Sequence, residues 1–190
     1  MKRTLTGSLL LVIQLVLVLS IAAKYLYERH TRPRVWVVAG VYDPSQPLRG
    51  RYLALQLRLN SCALPHDPKH FEQGFPIFDE GRPTAKHGPG RWNWDVSLET
   101  REGKLLPVLD EDARDPSKVA HLSHRENSPC DLATLSPGVE YFIPDTARPP
   151  SPLKPNQFLW VEVTVPAEGP PRPIQLALSD SSGFHTLNLN

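Results

Sequence analysis

The sequence has almost no net charge. Its 21 lysines and arginines stand against 20 aspartates and glutamates, for a formal +1 at neutral pH. A chain so balanced sets up no long-range field for a polyanion, so nucleic acid is not an expected partner. Cysteine is scarce too, with two residues in 190. Neither a CxxC nor an HExxH pair occurs, which removes the usual zinc frameworks. There is also no G-x-S-x-G elbow and no glycine loop built to cradle phosphate. The sequence therefore points to no catalytic residues and no cofactor.

Proline, by contrast, is abundant. The 21 prolines are about twice the usual share, but they are interleaved with tryptophan, phenylalanine and β-branched runs. That pattern predicts an ordered domain with stiff loops and argues against a low-complexity linker. The length suits one membrane segment and one domain able to bury its own core.

The membrane segment lies at the amino terminus. Leu5 to Ala23, LTGSLLLVIQLVLVLSIAA, carries no charge over 19 residues, and a bilayer core about 30 Å thick needs roughly 20 helical residues. As an anchor the helix continues through KYLYERH, with Tyr25 and Tyr27 at headgroup level and Lys24 and Arg29 reaching lipid phosphates. As a cleaved signal it would be cut near Ser20-Ile21-Ala22, although its apolar part is longer than such peptides usually have. The expected division is a short tail over 1–4, a membrane helix with its extension over 5–31, and a β-rich domain over 34–190.

Orientation is read two ways. Lys2 and Arg3 precede the helix while Lys24, Arg29, Arg32 and Arg34 follow it, which slightly favours a cytosolic body. Cys62 and Cys130 sit in polar loops, NSCALP and NSPCDL, as a single disulfide of an oxidising compartment would. Two unpaired thiols are the alternative.

Beyond Pro33 the apolar period is two. RVWVVAGVY (Arg34 to Tyr42) is a continuous strand-length run. In RYLALQLRL, Leu53, Leu55, Leu57 and Leu59 share one face, and Tyr52, Ala54, Gln56 and Arg58 share the other, wetter one. RWNWDVSLE alternates in the same way and leads through REGK into LLPVL. VEYFIP, FLWVEVTV, PIQLALS and FHTLNLN complete about eight strands. A mainly antiparallel sandwich or partly open barrel is expected. The stretches from His66 to Pro89 and from Asp110 to Pro137 lack periodicity and are the expected location of any binding surface.

Candidate chemistry is sparse. Cys62, His66 and His70 in CALPHDPKHF have metal-ligand side chains at a spacing of four, but Pro65 and Pro68 forbid the helix that would align them. His121 and His124 in HLSHREN can act as bases, and as surface residues need no further role. The acidic run DEDARD lacks the glycine and terminal glutamate of a calcium loop. All four tryptophans, Trp36, Trp92, Trp94 and Trp160, fall inside regular strands and are expected in packing.

One stretch resembles a known family. VYDPSQPLRGRYLALQL is similar to the signature of membrane-anchored bacterial proteins named for the motif GDYxxLxY, with Asp43, Pro44, Leu48, Arg49, Gly50, Tyr52 and Leu55 matching. Arg51 stands in place of the motif aspartate and Leu57 in place of its second tyrosine. GVEYFIPDTA, with Tyr141 and Pro144, looks like that family's short strand ending in proline. The segment from Phe158 to Gly183 resembles its closing hairpin.

The resemblance implies a single-pass inner-membrane protein with a β-rich domain in the periplasm. It would meet lipid through its helix and an envelope protein through its domain. It supplies no catalytic residues. The expected role is a non-enzymatic accessory or binding component of the cell envelope. The alternatives are a membrane-anchored hydrolase of the signal-peptidase type, and a metal or small-molecule module using the loop from His66 to His87. In the motif itself, Gly50 is expected to set the register that turns the leucines of the following strand inward.

Overall fold

The computed structural model describes residues 2–42, 52–79, 82–110, 115, 118–144, 146–147, 150, 152–167 and 169–189, with the backbone alone for 2–8 and 83. Asp43, Pro44, Arg49 and Gly50 lie outside the described residues, as does Arg51. The chain divides into two compact units, Met1–Pro33 and Arg34–Asn190.

The first unit is one helix, α1 (Lys2–Thr31). It starts three residues before the apolar run, so the expected tail is mostly helical. Helix formation is cooperative, and nothing in Lys2-Arg3-Thr4 breaks it. Leu9–Thr31 is long and apolar enough to cross a membrane, with mean hydropathy 2.3 and none of it buried. A bare face of leucine and valine this long is stable only if something apolar covers it.

The second unit is mainly β, and every described strand pairing in it is antiparallel. Its strands are β1 (Arg34–Tyr42), β2 (Tyr52–Leu59), β3 (Phe71–Glu72), β4 (Pro76–Asp79), β5 (Arg82–His87), β6 (Arg91–Arg101), β7 (Lys104–Leu109), β8 (Ala120–Arg125), β9 (Ala133–Ser136), β10 (Val139–Phe142), β11 (Phe158–Thr164), β12 (Arg172–Asp180) and β13 (Gly183–Leu187). All eight expected strands are present.

The other five, β3, β4, β5, β8 and β9, fall in the two stretches that carry no periodic signal. In β8 the inward positions are Ala120, Leu122 and His124, and only one of those three is strongly apolar.

The main sheet runs β13-β12-β11-β1-β2-β9-β8-β6-β3, with β7 also on β6 and β10 also on β2, while β4 and β5 form a separate hairpin. It does not close into a barrel. Instead it folds over, so that β1 meets β7 and β10 meets β12 across a shared core.

That core is what the alternation predicts. Leu53, Leu55 and Leu57 are fully buried and Leu59 nearly so, packed with Val35, Val37, Leu122, Leu135, Leu159, Val161 and Leu176. Each leucine side chain buried this way stabilises by about 1.5–3 kcal/mol. A one-residue slip of β2 would expose all four together. The two segments that resemble the family motif are neighbours here, since β10 lies on the first half of β2 with Tyr141 opposite Leu53 and Val139 opposite Leu55.

Candidate functional site

Cys62 and Cys130 form a disulfide, with Cα atoms 5.0 Å apart and a separation of 68 positions in sequence. The bridge ties the end of β2 to the 3₁₀ turn before β9. Ser61 reinforces it, donating from both its backbone N–H and its Oγ to the Cys130 carbonyl at 2.8 Å. Ser61 is fully buried, so these two bonds satisfy groups that would otherwise be costly to desolvate.

The disulfide overturns the metal reading of Cys62, because a cystine sulfur has no thiolate to offer. His66 and His70 are not ligands gathered around it. The His66 ring meets Trp92 and Trp94 edge-on at 4.9 and 5.4 Å, and the His70 ring tilts over Trp94 at 6.4 Å. Among the described residues no group of three or more His, Cys, Asp or Glu side chains is placed to hold a metal ion.

Under this loop lies an aromatic core. Trp94 is 2% exposed and donates its indole N–H to the Pro65 carbonyl at 2.8 Å, which fixes the loop on the sheet. Phe71 packs against Trp92 at 4.7 Å. It can do so because Gly90 has no side chain, and a Cβ there would collide with the Phe71 ring. His124 belongs to the same side. It is 6% exposed, not a surface residue, and its Nε2–H donates to the Ser128 carbonyl at 2.7 Å.

Trp36 and Trp160 depart from expectation in the opposite sense. They lie on the outer face of the sheet, edge-on to Phe184 at 5.0 and 6.1 Å.

The outer face of β2, β9, β8 and β6 carries the chemistry. Arg58 pairs with Thr134, Thr134 with Ser123, and Ser123 with Asn93, so these four side chains form one row across four strands. Two residues along, Arg91 stands directly opposite Arg125. Two residues the other way, Asp95 stands opposite His121, and Asp95 Oδ1 contacts His121 Nδ1 at 2.5 Å.

A cleft of about 560 Å³ opens over the arginine end, lined by Arg58, Arg91 and Arg125 together with Tyr42, Gln56, Ser123, Ser128 and Thr134. None of its described lining residues is acidic. Sequence reasoning missed it because the three arginines sit in separate segments and meet only through strand pairing. The one available signal was an arginine at an outward position of an alternating strand, as with Arg58.

The His121–Asp95 pair borders a second cleft of about 420 Å³ with Lys69, His70, Asn93 and Asp110. A carboxylate on Nδ1 orients an imidazole so that Nε2 can take a proton. Among the described residues no serine, threonine or cysteine lines that cleft, so none of them supplies a hydroxyl or thiol nucleophile there.

A second serine–histidine contact occurs at the tip of the β12–β13 hairpin. There Ser182 Oγ donates to Asp180 Oδ1 and contacts His185 Nε2 at 3.0 Å. The carboxylate holds the hydroxyl and not the imidazole, which is the wrong order for activating a nucleophile. The two Ser182 hydrogen bonds, side-chain and then backbone, hold the Asp180 carboxyl below its ordinary value.

No family model, no curated protein and no solved structure matches this chain.

Proposed function

We propose that the chain is a single-pass membrane protein whose β domain lies outside the cytosol and acts as a non-enzymatic binding component of a bacterial cell envelope. The observation that carries this reading is a disulfide in a domain that follows an exposed apolar helix of membrane-spanning length. Disulfides persist in oxidising compartments, and a helix of this kind delivers and retains a domain there. The resemblance to the GDYxxLxY family agrees with the same placement. Tyr52, Leu55 and Tyr141 then have a packing role, since they lie on the paired strands β2 and β10.

Topology is the direct test. Intact spheroplasts carrying the full chain are treated with protease, and the chain is resolved with and without reductant after thiol capping. Degradation of the domain from outside, with both cysteines protected until reduction, is the expected result. A domain protected until lysis, with freely capped thiols, would reverse the assignment. Cross-linking in native membranes tests the accessory role, and the absence of any reproducible envelope partner would count against it.

A further inference from the structure

We propose that the cleft of Arg58, Arg91 and Arg125 is an anion site that takes a phosphate-bearing ligand. This goes beyond the envelope reading and holds on whichever side of a membrane the domain lies. Its first support is the register. Arg91 and Arg125 are directly opposite one another on antiparallel strands, where like charges repel and destabilise the pair. Among the described residues no side-chain partner offsets them, because neither guanidinium makes an ion pair or a hydrogen bond there.

The nearest acidic position in register is Glu72, opposite Arg91 on its other side. Its Oε2 accepts from Asn93 Nδ2 at 3.0 Å. Glu126 is likewise engaged, accepting from the Gly90 backbone N–H at 3.0 Å. The two carboxylates closest in sequence and register are thus directed to neutral donors, and among the described residues the guanidinium groups keep their charge unmatched.

The second support is a made space. Arg58 is the third guanidinium in the cleft without an ion pair among the described residues, and it lies across Gly40 of β1 with its Nη2 3.2 Å from where a Cβ would stand. Glycine weakens a strand interior, and here its lack of a side chain is what leaves room for that charge.

The third support is the neighbouring donor set. Ser123, Ser128, Thr134 and Gln56, whose side chains carry hydroxyl and amide donors, line the same volume. Guanidinium forks match the paired oxygens of a phosphate, and hydroxyl and amide donors complete its shell. Three positive charges exceed what a single carboxylate needs and suit a phosphomonoester or a diphosphate. A volume of about 560 Å³ holds more than the phosphate itself, so the fitting class is a phosphorylated small molecule or the phosphorylated headgroup of a lipid.

The test uses the full chain in non-ionic detergent. Thermal melting and calorimetric titration are run with pyrophosphate, glucose 1-phosphate and a short-chain phosphatidic acid, each against sodium chloride at equal ionic strength. At least one probe is expected to raise the melting temperature above the salt control. Arg58→Ala, Arg91→Ala or Arg125→Ala should each weaken its binding by about tenfold or more. Preference for the lipid or for the sugar phosphate names the source.

Without ligand, Arg91→Ala and Arg125→Ala should melt at or above the wild-type temperature, because each removes the repulsion, so loss of binding is separated from loss of fold. Stabilisation by none of the probes beyond the salt control overturns the proposal. So does stabilisation that survives when all three arginines are replaced together.

Discussion

The guanidinium of Arg58 on β2 lies over Gly40 on β1, its Nη2 3.2 Å from the position a Cβ would occupy. The glycine is the seventh residue of a nine-residue strand, where a side chain would normally favour the strand. Its absence makes sense if the arginine must lie there.

Gly40→Ala is therefore expected to leave the domain as stable as before or slightly more so, because the displaced atoms belong to the far end of an exposed, flexible side chain. The same change should move the guanidinium and weaken pyrophosphate binding several-fold. A parallel fall in melting temperature and affinity would instead mark Gly40 as a packing residue.

Reduction of the Cys62–Cys130 bridge should cost about 4 kcal/mol, the chain-entropy value for a loop of this length. Urea unfolding of the full chain with and without reductant reads this directly, and Cys62→Ser with Cys130→Ser should reproduce the reduced curve. A change under about 1 kcal/mol would mean that Ser61 and the strand pairing already hold the two loops together.

Trp94 couples the sheet to the loop above it, and its two contributions can be separated. Trp94→Phe keeps a ring in the core but leaves the Pro65 carbonyl without its donor, for an expected loss of about 1–3 kcal/mol. Trp94→Ala should lose about 3–5 kcal/mol by opening a cavity. Equal losses in the two variants would show that the hydrogen bond, and not the volume, dominates.

Asp180 gives the hairpin between β12 and β13 an acid-sensitive contact. Its folded-state pKa lies below the ordinary 3.8, chiefly through the Ser182 hydroxyl and backbone N–H. A depressed carboxylate stabilises the fold at pH values above 3.8 and stops doing so as pH falls through its folded value. The melting temperature of the wild type should exceed that of Asp180→Ala near neutrality, and the gap should close in acid. A constant gap from neutral pH to pH 3 or so would contradict the assignment.

The legible part of the fold was the part written in strong alternation. Leu53 to Leu59 announces a half-buried strand because every inward position is leucine. AHLSHR in β8 does not, since its inward residues are alanine, leucine and histidine, and ATLS in β9 is no clearer. A weakly apolar strand forms because its neighbours cover it, a tertiary effect that local pattern does not carry.

The same reason hides the candidate site. Arg58, Arg91 and Arg125 are unremarkable surface arginines in sequence and become a cluster only when β2, β9, β8 and β6 align. Trp36 and Trp160 fit their strands well, but the alternation alone did not say which face was inward. The cysteines were readable as a pair, and pairing them also removed the metal site that Cys62 suggested.

The placement of β1 between β2 and β11 bears on the order in which the domain can be made. Arg34 pairs with Thr164 and Ala39 with Leu159, so the strand next to the apolar helix waits for almost the whole chain before its second edge is covered. Loop closure over that span must be met before the contacts reward it, which makes assembly late and cooperative. During synthesis the emerging chain keeps an open, unpaired edge on β1. That edge is exposed and needs protection until β11 arrives.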